Sequence, residues 1–358
     1  MSRIFMVFFA GGCLLLALSA CGKDVSSLTV VTGVGVDGKE NAYEITAEAI
    51  QLTHSEEESK SILLHARGSS MTEGLDNTVP MTGRPLHCDH AQVLVISAET
   101  AEQGLDALLT DVLGDNSYPV SLLPAISACD AEKIMETKPV VGTLGSTELE
   151  RLITQGADLC TNPAEPAASF YQRVRAPGVE AVLPYIALRA NGETTVREVV
   201  GTAVFRDMKL KTVLDTDESR ALLWMRGSQG GDLVVDDRLF CVVRARQILT
   251  AGPKSGSLHL KLVLQTYVPM DDPEEWKART AEAIKKRCRA VLHKLQQEGC
   301  DAVGFGNALY RRSYEAWTAL PEEWPEHFRT YPVSVVVEIQ SIREGRIETE
   351  RINKGAGS

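Results

Sequence analysis

What the chain lacks narrows its function first. Beyond residues 4–18, no run approaching the roughly 18 apolar residues of a membrane helix recurs, which argues against a multi-spanning membrane protein. Basic residues are in deficit: the formal net charge is −11, and −12 once Arg3 leaves with the first twenty residues. Such a surface repels phosphate backbones and anionic headgroups, so nucleic-acid binding is not expected. Cysteines number eight, but no C-x-x-C pair occurs and Cys88, Cys129, Cys160, Cys241, Cys288 and Cys300 are widely scattered. A disulfide framework or zinc site does not fit that spacing; buried free thiols do, with room for one isolated bridge. H-E-x-x-H, G-x-S-x-G, S-x-x-K and the phosphate-binding P-loop are all missing, which lowers the case for an enzyme.

What is present begins with an export signal. Arg3 precedes the apolar run, and Leu18-Ser19-Ala20-Cys21 closes it with small residues before a cysteine. Cleavage between Ala20 and Cys21 leaves the Cys21 thiol at the new terminus. A diacylglyceryl group attached there anchors the protein, with or without a further N-acyl chain, and no other cofactor is expected.

The body reads as α+β, with antiparallel-rich sheets, packed helices and about three subdomains. Residues 1–20 are the signal, 21–195 a first α+β region of two subdomains, 196–350 a second α+β domain, and 351–358 a disordered tail. Asn191-Gly192-Glu193 is the turn before the second unit. Helices are predicted at 100–113, 147–154, 167–174 and 308–320. Leu258, Leu260, Leu262 and Leu264 alternate with polar residues, as in a half-buried strand. The clearest helix has Asp272 as N-cap, Pro273 in its first turn and Glu275 at the capping-box position. Ile284, Cys288, Val291 and Leu295 form its apolar stripe, and Gly299 is its C-cap.

Candidate chemistry is sparse. His87-Cys88-Asp89-His90 could offer metal ligands, but strand alternation sends them to opposite faces, so no metal is expected there. Gly304-Phe305-Gly306 follows a helix and lacks the third glycine of a dinucleotide loop; it reads as a turn whose glycines permit positive φ. Trp224, Trp276, Trp317 and Trp324 all lie in the second unit. They fit core packing between a helix pair and a sheet, with a pocket or interface as the other reading.

Four ordered segments resemble one family, the C subunits of spore germinant receptors, or Ger(x)C lipoproteins. They are Leu28 to Asp37 behind the lipid cysteine; His90 to Ser97 with Gly104-Leu105; Gly201 to Leu210 with Glu218-Ser219-Arg220 and Leu222-Leu223-Trp224; and Asp301 to Gly306 with Trp317 and Trp324. The resemblance implies a non-catalytic, lipid-anchored subunit on the outer face of the inner spore membrane of a sporulating bacterium. It would work beside integral membrane A- and B-type subunits, with the small nutrient bound by the complex rather than this chain. Gly201, Phe205, Asp207, Glu218, Asp301, Gly304 and Gly306 are the motif positions with an expected interface or structural role. The competing expectation is a solute-binding lipoprotein of a transport system; an exported hydrolase is a more distant one.

Overall fold

The computed structural model describes residues 29–51, 61–114, 117–320 and 323–345. The signal, Ala20, Cys21, the polar loop after Gln51 and the tail lie outside these. Strand β1 (Thr29–Lys39) pairs antiparallel with β2 (Ala42–Gln51), and β3 (Ser61–Gly68) joins beyond β2. The β1–β2 loop is Glu40-Asn41, where Asn41 takes the left-handed φ of 65° that such tight loops favour. The short β4 (Leu86–His87) pairs with β1. On the inner side of β1, β5 (Val93–Ser97), β6 (Leu123–Ser127) and β7 (Val182–Asn191) run parallel. β8 (Thr194–Arg206) and β9 (Lys209–Asp215) then close the sheet as antiparallel hairpins.

This nine-stranded sheet is covered on both faces. One face holds helices α1 (Met71–Asp76), α2 (Val79–Thr82), α3 (Ala98–Gln103) and α4 (Asp106–Gly114), with Leu105, Leu108, Leu109 and Val112 in its core. The opposite face packs α5 (Ala131–Glu136) and α6 (Gly145–Asp158) through Ile134, Met135, Leu149 and Ile153. Every residue of β5 and β6 is buried, as expected of parallel strands between two helical layers. Two glycines of β1, Gly33 and Gly35, make this layering possible. A Cβ on Gly33 would lie 2.7 Å from the Ser146 Cβ, and one on Gly35 2.8 Å from the Met135 Cγ. Asp37 then accepts the Ala131 and Glu132 N–H groups at 2.8 and 3.0 Å, capping α5 from a neighbouring strand.

After α7 (Ala167–Val174) and the last strands of the first sheet, α8 (Thr216–Met225) leads into a second sheet. Its order is β10 (Asp232–Val235), β11 (Arg238–Ala251), β12 (Gly256–Thr266) and β13 (Val333–Glu344), with β12 and β13 parallel. The connection between them holds α9 (Pro273–Glu298), α10 (Phe305–Arg312), α11 (Tyr314–Thr318) and α12 (Trp324–Arg329). The predicted stripe of α9 is buried, Asp272 caps it by accepting the Glu274 and Glu275 N–H groups, and Gly299 ends it at φ 66°. Leu258, Leu260, Leu262 and Leu264 of β12 all face the core.

The architecture is α+β, and it departs from expectation in three places. The first sheet runs through the expected boundary at 195/196, because Asn191 and Thr194 pair across a two-residue hairpin loop that adds β8 to β7. The sheets therefore divide the chain between β9 and β10. The helix expected over 100–113 is two helices, broken at Gly104 (φ 129°), where the Leu105 N–H donates to the Met208 carbonyl at 2.9 Å. The helix expected over 308–320 starts earlier, at Phe305, and restarts at Ser313, whose hydroxyl accepts the Ala316 N–H at 3.2 Å.

Candidate functional site

Three residues after α9 the chain turns around Asp301. Its carboxyl is wholly buried and accepts the Gly304 N–H (2.7 Å) on Oδ1, with the Gly306 N–H (2.7 Å) and the Trp324 Nε1–H (3.0 Å) on Oδ2. This arrangement supplies the N-terminal cap of α10, whose own N-cap, Gly304, has no side chain. Burial pushes the Asp301 carboxyl up to about 6, against the pull of these hydrogen bonds.

The same turn joins the two sheets. Residues 177–180, which lead from α7 to β7 in the first sheet, run along it. The Glu180 N–H donates to the Asp301 carbonyl at 3.0 Å and the Asn307 N–H to the Gly178 carbonyl at 2.7 Å. Asn307 Nδ2 reaches the Pro177 carbonyl at 3.0 Å. Gly304 sits at φ 98°, as its reading as a turn glycine expected. Gly306 plays a different part: it is helical, and a Cβ there would stand 2.5 Å from the Trp324 ring and 2.8 Å from the Gly178 Cα. Close approach, rather than positive φ, demands the second glycine.

Beside the turn opens a cleft of about 350 Å³ lined by Glu180, Asp207, Trp317, Glu323 and Trp324. Trp317 and Trp324 have ring centroids 5.7 Å apart, and Tyr310 meets Trp317 edge-on at 5.9 Å. Asp207, at the mouth, occupies the two-residue β8–β9 turn with Met208; both have left-handed φ, 52° and 60°. Glu180 is only 9% exposed. Burial pushes its carboxyl up to about 8; nearby Asp207 and Asp301 add to the rise, and Arg206 and Lys211 oppose it.

Of the seven motif positions, Asp207, Asp301, Gly304 and Gly306 come together around this cleft or its turn. Phe205 lies just behind: its N–H donates to the Ala181 carbonyl at 3.0 Å and its ring meets Phe170 edge-on at 5.0 Å. Gly201 and Glu218 do not join them. Gly201 is hemmed against the Leu214 carbonyl in the β8–β9 ladder. Glu218 completes a capping box with Asp215 and pairs with Lys294 at 2.6 Å, tying α8 to α9. Sequence reasoning missed Glu180; its one signal is an acid standing directly before the apolar run Ala181-Val182-Leu183 that leads into β7.

Elsewhere, His87 is half-buried, Cys88 buried, and Asp89 and His90 exposed in a turn, so the four do not converge. His65, Glu132 and Glu136 gather potential ligand atoms within 4.8 Å of one another at an exposed site, where His65 pairs with both glutamates at 3.1 and 3.8 Å. Trp224 is core, and Trp276 stacks under Arg238 at 4.6 Å. A buried polar network also went unread. Glu48 accepts the Gly145 and Ser146 N–H groups at the start of α6 (2.9 and 2.7 Å), and buried Arg197 binds Glu148 at 2.9 Å and the Ile134 carbonyl at 2.8 Å. Among the described residues, no helix is long and apolar enough to cross a membrane.

Comparison with known proteins agrees with the motifs. A family model described as spore germination protein N-terminal domain matches residues 22–188. One described as spore germination B3/GerAC like, C-terminal, matches residues 257–345. Spore germination protein KC of Bacillus subtilis (strain 168) is 18% identical over 370 residues, covering 90% of this chain and 91% of that protein. The crystal structure of the GerBC protein shares the fold, with a TM-score of 0.53 at 14% identity over 87% of this chain and 96% of that one. With both family regions matched in order and the fold shared, the chain belongs to the Ger(x)C family, the C-subunit family of spore germinant receptors.

Proposed function

We propose that this chain is the lipid-anchored, non-catalytic C subunit of a nutrient germinant receptor. A diacylglyceryl group on Cys21 holds the body at the outer face of the inner spore membrane. There it assembles with integral membrane A- and B-type subunits, and the complex takes the nutrient. The observation that carries this reading is the ordered pair of family matches, the first beginning at residue 22, directly behind Cys21. The hydrogen-bonded turn between the sheets supports it too, since a body braced in this way presents its surfaces to partners in a constant relation.

Two measurements test the reading. Cys21→Ala should move the protein from the membrane fraction of spores to the soluble one; full retention in the membrane refutes the anchor. Co-purification from detergent-solubilised spores should bring integral membrane germination subunits with the wild-type chain. Recovery of the chain without them, together with normal nutrient germination in a deletion strain, refutes the receptor role.

A further inference from the structure

The cleft beside the Asp301 turn contains an acid that no structural duty explains. Among the described residues the other buried carboxylates are saturated: Asp301 takes the three donors described above, and Glu48 takes two backbone N–H groups and the Ser61 hydroxyl. Glu180 is 9% exposed and lines the cleft. Among the described residues its carboxyl oxygens accept no hydrogen bond and join no ion pair. An ionised carboxylate in such a place is strongly disfavoured unless a partner arrives.

The surrounding wall says what kind of partner. Trp317 and Trp324 offer aromatic surface, which attracts cations through the ring quadrupole and repels anions. Asp207 and Glu323 stand at the mouth, and no lysine or arginine is among the described lining residues. The volume of about 350 Å³ is at the small end of ligand sites.

We propose that this cleft binds an alkylammonium group, with its N–H bonds directed at the Glu180 carboxylate and its charge against the Trp317 and Trp324 rings. The proposal is independent of the receptor-subunit reading, and its failure leaves that reading intact. Proton and ligand compete for Glu180. The groups that set this competition are Asp207 on the β8–β9 turn, Asp301 and the Cys300 thiol on the turn after α9, Glu323 before α12, and Arg206 and Lys211 on β8 and β9. With the Glu180 carboxyl titrating at about 8, ligand affinity falls as the pH drops below that value.

The test uses the full-length chain in detergent micelles and n-butylammonium chloride as probe, read by titration calorimetry and tryptophan fluorescence. Saturable binding is expected, with none for n-butanol or butyrate. Affinity should rise roughly tenfold per pH unit from about 6.5 to 7.5. Glu180→Gln, which has the shape of the protonated acid and so keeps the fold, should weaken binding at least about tenfold at pH ~8. Trp317→Leu should weaken it as well and serves as a second variant. Binding of butylammonium alone marks a free small ligand, whereas equal binding of N-acetyl-lysine amide opens the cleft to a lysine of a partner protein; both support the site. Absence of butylammonium binding, equal competition by potassium ion, an affinity flat with pH, or unchanged binding by Glu180→Gln overturns it.

Discussion

Glu180→Gln also makes a stability prediction that needs no ligand. Burial raises the Glu180 carboxyl from an ordinary 4.5 to about 8 in the folded protein. A raised carboxyl pKa means that, between those values, the folded state holds more protons than the unfolded one. Stability conferred by the protonated acid is therefore complete below the unfolded value and is lost as the pH rises toward the folded one. At ~1.4 kcal/mol for each pH unit crossed, the loss between pH 5 and 8 has a ceiling of about 4 kcal/mol. Water entry into the cleft lowers it, leaving about 2–3 kcal/mol. Glutamine copies the neutral acid and cannot ionise. Wild type and variant should be nearly equal in stability near pH 5, and the variant should gain steadily up to pH 8. Chemical denaturation of both full-length proteins across this range gives the difference directly, since contributions from titrating groups that do not interact with Glu180 cancel. Parallel curves, or a variant that loses stability toward pH 8, would show that Glu180 is solvated or already paired and would refute the reasoning.

Three further outcomes follow from other sites. Gly306→Ala forces a Cβ to within 2.5 Å of the Trp324 ring, so α10 and Trp324 must separate at a cost of about 1–3 kcal/mol; an unchanged denaturation midpoint and near-ultraviolet tryptophan dichroism would contradict the close approach. Arg197→Met leaves half-buried Glu148 and the Ile134 carbonyl without their guanidinium donor and should destabilise the first sheet by about 2–4 kcal/mol, measured as a fall in urea midpoint; a neutral effect would mean that the network is dispensable. Burial pushes the Cys160, Cys288 and Cys300 thiols up to about 12, so none should label with a thiol-disulfide reagent at mildly alkaline pH until urea unfolds the chain; rapid native labelling would count against this packing.

Elements whose signals are local were legible in the sequence. Helix α9 has its cap, apolar stripe and terminal glycine within one segment, so residues 272–299 read directly. The same holds for α7, found over the predicted 167–174, and for the alternation of β12. Features that depend on a distant partner did not read. Asn191-Gly192 announces a tight turn, but nothing local says whether it separates two units or folds β8 back onto β7. The apolar runs of β5 and β6 show burial without showing strand direction; their parallel pairing comes from the helices laid over both faces.

The candidate site divides in the same way. Asp301, Gly304, Gly306, Trp317 and Trp324 stand out as a motif in the sequence. Sequence alone thus determined the family, the main helices and the residues of the turn, because caps, periodicity and ordered motifs are properties of neighbouring residues. Only tertiary structure decided that Gly178 packs on Gly306, that Asp301 bonds the ring of Trp324, and that Glu180 closes the cleft they leave. The first and last of these bring together chain segments more than a hundred residues apart, the Asp301–Trp324 bond spans 23 residues, and whether a carboxyl is solvated, saturated or waiting for a partner depends on what the fold packs around it.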